Sequence, residues 1–227
     1  KNLLMSEDVL SAVRIMKKLG IKIRIKKKVC EIIGRGLFGL KFKKNLILDS
    51  GNSGTTARLI CGLLSDAKYW VKITGDNSLK KRDMSRIIKP LKLFGTKFKN
   101  NRTKLPIYLR GPEILKPIKY FEKLGSAQCK SALMIAALKT SGKTELRCLP
   151  SRNHTEIIFK KVLNLPIKVK KKKNYDFISI LGNKKLKKFN YKIPGDISSA
   201  SFFIVLTLLS KNNFLSIKNI NINPSRI

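Results

Sequence analysis

Apolar positions recur at helical spacing in three places, each directly after a start rich in small residues. The three stretches are Ser53–Leu64, Ser126–Leu138 and Asp196–Leu206, and they repeat at a period of about 70 residues, longer than the usual solenoid repeats. Each is followed by a short strand-like run: Tyr69–Thr74, Thr144–Leu149 and Phe214–Ile220. A second helical pattern repeats as well. Lys81–Ile88 lines up with Ser151–Ile158, and each continues to a break and a strand, Leu93–Phe98 and Leu163–Val169. The opening segment from Ser6 to Ile23 reads as the same second helix, capped in the Ser6–Glu7 region and stopped by Gly20.

The repeating unit is therefore strand–helix–strand–helix–strands, and the fold class is α/β. Such units cannot bury their apolar faces alone, so the copies are expected to turn helices inward and sheets outward around a shared core. The chain enters in the middle of one copy and leaves in the middle of another, at Asn223–Ile227, which reads as a fragment. Gly34–Gly39 matches the G-x-G-x-x-G fingerprint of dinucleotide binding. That fingerprint requires a helix to follow, and here the strand-like Leu40–Leu48 follows instead. The segment is predicted to be a hairpin turn between strands in Lys22–Ile33 and Leu40–Leu48.

Composition narrows the picture. The 227 residues are 43% hydrophobic, ample for a core, and carry a formal charge of +37. That charge first suggests nucleic acid. However, Lys outnumbers Arg by 39 to 11, the lysines are scattered, and the aromatics (7%) do not interleave with them as a stacking platform would. Lys, Ile and Asn all have AT-rich codons, so genome composition accounts for the excess more simply. A cleft tuned to small anions is the functional alternative. Cys30, Cys61, Cys129 and Cys148 show no metal-ligand spacing, which suits a reduced, cytoplasmic protein. Phe202–Leu209, the longest apolar run, is interrupted by Thr207 and is far below the ~20 residues of a membrane span. The opening ten residues place Glu7 and Asp8 where a signal peptide would turn apolar.

The chemistry is concentrated at helix starts. Leu48–Arg58 runs from a strand through a Gly- and Ser-rich turn into a helix, leaving free N–H groups and a positive dipole end for phosphate or carboxylate. It lacks the Gly-Lys-Ser/Thr of an ATP-binding loop. Ser126–Lys130 is a second start of this kind. Arg82 and Arg152 hold equivalent repeat positions near these starts, and arginine suits bidentate capture of anions. His154 reads as a surface residue at a helix start. The carboxylates form no acid–base pair, and Asp49 and Asp76 read as turn or cap residues.

Five ordered motifs together resemble the 3-phosphoshikimate 1-carboxyvinyltransferase (EPSP synthase) family: Leu48–Leu59, Thr74–Met84, Gly125–Ala132, Pro150–Glu156 and Ile193–Phe203. The resemblance implies an inside-out α/β barrel of βαβαββ units. Residues 1–190 would form one nearly complete domain lacking its first segment, and residues 191–227 the beginning of a second. It implies transfer of the enolpyruvyl group of phosphoenolpyruvate to the 5-hydroxyl of shikimate 3-phosphate, with release of phosphate. No cofactor and no metal would be needed, and the complete protein would be a monomer with no nucleic-acid or membrane partner.

By the same resemblance Gly54, Arg82 and Gln128 match phosphoenolpyruvate contacts. Ser126, Ala127, Gln128, Ser151 and Arg152 match contacts to shikimate 3-phosphate, while Asn52 and Arg58 support the turn. No catalytic residue is matched in this chain. The family's opening Lys-Ser…Arg motif would precede Lys1, and its proton-handling Asp and Glu would follow Ile227, so this chain alone is expected to bind weakly and not to turn over. Asp83 replaces the Pro usual after Arg82, which is expected to loosen that arginine. The alternatives are the sister enolpyruvyl transferase acting on UDP-N-acetylglucosamine, whose loop cysteine has no counterpart here, and a basic nucleic-acid-binding module.

Overall fold

The computed structural model describes residues 1–225, so the Arg226–Ile227 end of the Asn223–Ile227 exit from the last repeat copy lies outside the described residues. Helix α1 (Glu7–Lys18) follows Ser6, and Gly20 ends it with φ +83°. Gly20 N donates to Lys17 O and Ile21 N to Met16 O, the paired bonds that close a helix through a left-handed residue. Strands β1 (Lys22–Lys26) and β2 (Val29–Ile33) then form an antiparallel hairpin.

Two full units follow with the same topology. The first comprises β3 (Leu46–Asp49), α2 (Gly54–Leu63), β4 (Val71–Thr74), a one-turn α3 (Asn77–Lys80), α4 (Ser85–Leu93), β5 (Lys97–Phe98) and β6 (Ile107–Arg110). The second comprises β7 (Lys119–Glu122), α5 (Ala127–Ala137), β8 (Lys143–Cys148), α6 (His154–Ile157) with a π-helical turn at Ile158–Val162, β9 (Ile167–Lys171) and β10 (Asp176–Leu181). Their sheets have matching orders, β3-β4-β6-β5 and β7-β8-β10-β9, each with one parallel pair and two antiparallel pairs. Helix α7 (Ile197–Leu209) starts at the N-cap Asp196, whose carboxylate accepts from Ser198 N and Ser199 N.

The helices occupy the interior. Buried residues of α2 and α5 join those of β4, β6, β8 and β10 in one apolar core. The two helices run parallel and touch closely: a Cβ on Gly62 would stand 2.2 Å from the Ala132 carbonyl oxygen. Small residues at this crossing allow the backbones to approach, so α2 and α5 present their N-termini at the same end of the core. By contrast α7 leaves Phe202, Phe203, Leu206, Leu208 and Leu209 exposed.

The structure corrects two expectations. The hairpin turn is not at Gly34–Gly39 but at Lys27 and Lys28, both with positive φ, as a two-residue primed turn demands. Leu46–Asp49 pairs in parallel with β4 instead of with β2, so the glycine segment is an irregular connection, and no helix follows it. Phe214–Ile220 forms no strand. A strand needs a ladder partner, and this segment has only an isolated bridge from Ile220 to Gly195.

Gly62→Ala is expected to destabilise the fold by about 1–3 kcal/mol through overpacking, more than the ~1 kcal/mol that alanine gains in a helix. Urea unfolding followed by circular dichroism measures the difference.

Candidate anion-binding site

In each unit the first two strands are parallel, so the loops leaving their carboxyl ends lie side by side. Open α/β sheets characteristically bind ligands at this edge. In the first unit Asp76 N donates to Gly51 O at 2.9 Å, joining the loop after β4 to the loop after β3. Ser53 caps α2, its Oγ accepting from Thr56 N at 3.2 Å. Ser126 caps α5 in the same way, its Oγ accepting from Cys129 N at 3.3 Å. The side chain of each cap takes one of the orphan N–H groups of its helix start, and the helix dipoles of both point the same way.

Two guanidinium groups converge on Gly54. A Cβ at that position would stand 2.9 Å from Arg58 Nη1 and 3.2 Å from Arg82 Nη1. The absent side chain is what leaves room for both cations over the start of α2. Gln128, in the first turn of α5, ties the two helices together: its Oε1 accepts from Arg58 Nη1 at 2.7 Å and its Nε2 donates to Thr55 Oγ1 at 2.7 Å. Arg82 is held from behind, its Nη2 donating to Asn52 Oδ1 at 3.2 Å, while Asn52 Nδ2 donates to Asp76 Oδ2 at 2.6 Å.

Asp76 does more than the turn duty read from the sequence. It caps α3 by accepting from Leu79 N at 2.7 Å and anchors the Asn52–Arg82 chain. Its carboxyl is held below the ordinary aspartate range, first by the Leu79 N–H, then by the Asn52 amide, with a smaller pull from the Arg82 charge. Asp83, next to Arg82, is itself held by local contacts. Its carboxylate accepts from Ser85 N and from the Ser85 hydroxyl, and its backbone bridges to Lys104, so the segment is pinned on both sides.

The second unit repeats the edge with other residues. Leu149 N donates to Glu122 O at 3.1 Å, which sets the loop of Ser151 and Arg152 beside the loop of Ser126 and Ala127. Glu122 is buried, and its carboxylate accepts from Leu124 N and Ser126 N, both at 3.1 Å, fixing the backbone just ahead of α5. Ser151 Oγ and Asn153 Oδ1 are buried without a hydrogen-bond partner among the described residues, and Arg152 is exposed. Arg82 thus stands over Gly54, and Gln128 reaches the same helix start through Arg58 and Thr55, with Ser126 and Ala127 just ahead of it in the chain. Ser151 and Arg152 stand across the neighbouring loop, with no hydrogen bond to Ser126–Gln128 among the described residues. Sequence reasoning singles out neither Thr55, although it lies within the Gly- and Ser-rich start at Leu48–Arg58, nor Glu122, which sits in no pattern that marks chemistry.

The same arrangement of loops and helices is found in known proteins. The model of the family described as EPSP synthase (3-phosphoshikimate 1-carboxyvinyltransferase) matches residues 1–227. This chain belongs to the EPSP synthase family. It is 40% identical over 228 residues to the 3-phosphoshikimate 1-carboxyvinyltransferase of Thermoanaerobacter sp. (strain X514), covering 100% of this chain and 52% of that protein. The protein of the same name from Caldicellulosiruptor saccharolyticus is 40% identical over 229 residues, again with 100% and 52% covered. Among solved structures, EPSP synthase from Acinetobacter baumannii superposes with a TM-score of 0.84 at 36% identity, covering 97% of this chain and 49% of that one. The chain spans about half the length of the curated relatives it matches. The EPSP synthase fold accounts for the matched pair of sheets around inward helices.

The depressed pKa of Asp76 means that its ties are fully present above the ordinary aspartate range and are lost only as pH falls below it. In hydrogen exchange near neutral pH, Asp76→Ala is expected to speed exchange of the Leu79 amide by roughly fivefold, the usual worth of one N-cap.

Proposed function

We propose that this chain contributes substrate-binding residues to an enolpyruvyl transferase, which moves the enolpyruvyl group of phosphoenolpyruvate to the 5-hydroxyl of shikimate 3-phosphate. The observation that carries this reading is the convergence of Arg58 and Arg82 on Gly54, with Gln128 joining the starts of α2 and α5. Membership of the EPSP synthase family supports it.

In this reading Gly54, Arg82 and Gln128 receive phosphoenolpyruvate. Its carboxylate and phosphate match a site made of guanidinium groups and a helix start, where charge-assisted hydrogen bonds replace water. Ser126, Ala127 and Gln128, with Ser151 and Arg152 opposite, receive shikimate 3-phosphate. The unpartnered Ser151 hydroxyl supports that assignment, because a phosphate oxygen would supply its missing bond. The 5-hydroxyl oxygen adds to C2 of phosphoenolpyruvate as a proton reaches C3. The tetrahedral adduct then expels inorganic phosphate and loses a C3 proton to give the enolpyruvyl ether. Positive ends fixed in advance favour the charge on the departing phosphate. The residues described supply binding and orientation, and proton transfer is assigned to no group among them. Residues 1–190 form the substrate-binding domain of this reading, and residues 191–227 begin a second.

Titration calorimetry is the direct test. Arg82→Ala is expected to weaken phosphoenolpyruvate binding by roughly 10- to 100-fold, the worth of a charged hydrogen bond. Arg152→Ala should weaken shikimate 3-phosphate by a similar factor, and Gln128→Ala both ligands. Tighter binding of UDP-N-acetylglucosamine than of shikimate 3-phosphate would favour the sister transferase and overturn the assignment. Phosphate release by this chain alone with both substrates is expected to be absent.

A further inference from the structure

The two units match closely in order, yet one pair of positions changes in concert between them. Aligning Ser53 with Ser126 sets Ala57 against Lys130, and aligning Arg82 with Arg152 sets Arg86 against Glu156. In the first unit Ala57 is buried and Arg86 is exposed. In the second, Lys130 is 0% and Glu156 5% exposed, and Lys130 Nζ stands 2.6 Å from Glu156 Oε1. At the adjacent positions, the Ser131 and Thr155 hydroxyls hydrogen-bond at 2.6 Å. Both contacts join the first half of α5 to α6.

A buried ion pair is a costly way to hold two helices together, since desolvation takes back much of its attraction. The second unit has reason to need it. Helix α4 packs on α2, α5 and β5, whereas α6 is one turn long, runs into a π-helical turn and has close backbone contact chiefly with that turn. Its placement depends on side-chain ties, and Ser151 and Arg152 immediately precede it. On the other side Glu122 fixes the backbone of Leu124–Ser126. We infer that Lys130 and Glu156 are positioning residues: they lock α6 onto α5, setting the span between Ser126–Gln128 and Ser151–Arg152, and so govern affinity for the phosphate of shikimate 3-phosphate but not for phosphoenolpyruvate. This inference rests on the function proposed above.

The test uses the polypeptide carrying this chain as its source makes it. Lys130→Met combined with Glu156→Leu removes both charges while keeping apolar volume, so no lone buried charge remains. Calorimetry is expected to show shikimate 3-phosphate weakened about tenfold or more, and phosphoenolpyruvate, titrated at saturating shikimate 3-phosphate, changed by less than about threefold. Lys130→Arg, which keeps the pair, should stay near wild type. Should the double variant not fold, Ser131→Ala with Thr155→Val removes only the second tie and should show the same selectivity at smaller size. Equal weakening of both ligands, no change in either, or Lys130→Arg as damaged as the double variant overturns the inference. A wild-type polypeptide that binds no shikimate 3-phosphate overturns the function proposed above, and this inference with it.

Discussion

The close parallel contact of α2 and α5 sets the rest of the architecture. Where Gly62 meets the Ala132 carbonyl there is no space for a side chain, so the two backbones share one small-residue seam. Because the helices run the same way, their capped starts, Ser53 and Ser126, come out on the same side of the core. The strands leading into them, β3 and β7, belong to separate sheets. The helix seam brings the two carboxyl edges together. Gln128, bonded to Arg58 and Thr55, spans the mouth of that seam and makes one site out of two half-sites.

Within the site, positive charge is gathered without being neutralised. Arg58 is engaged by an amide and a carbonyl, and Arg82 by the Asn52 amide, so among the described residues neither guanidinium is matched directly to a carboxylate. Asp76 stands one residue further back and acts on Arg82 through Asn52. Neutral partners orient the cations but leave their charge for an incoming anion. The carboxylates near the second half-site are spent in other ways: Glu122 on backbone N–H groups, Glu156 on a buried lysine.

Much of this was readable in the sequence, because the repeat is written in small residues at helix starts. Ser53, Ser126 and Asp196 are all observed N-caps that accept from backbone N–H groups. Local chemistry at Gly20 likewise fixed the end of α1. The reading failed where structure depends on a distant partner. The glycines of Gly34–Gly39 drew the hairpin turn away from Lys27–Lys28, since lysine gives no sign that it will adopt a left-handed conformation. Phe214–Ile220 has the composition of a strand, and composition cannot supply a ladder. A lysine such as Lys130 carries no local sign that it will be buried, and only tertiary packing shows α5 buried on nearly every side.

The exposed apolar side of α7 has a consequence for how this chain, taken by itself, behaves in solution. Phe202, Phe203, Leu206, Leu208 and Leu209 face water on a chain with a formal charge of +37. Large apolar patches drive self-association, and mutual repulsion between like-charged molecules opposes it. That repulsion acts through solvent and is screened beyond about 8 Å at physiological ionic strength, whereas the attraction between apolar faces is not weakened by salt. Dilute buffer therefore keeps molecules of this chain apart by charge alone, and added salt turns the same surface adhesive.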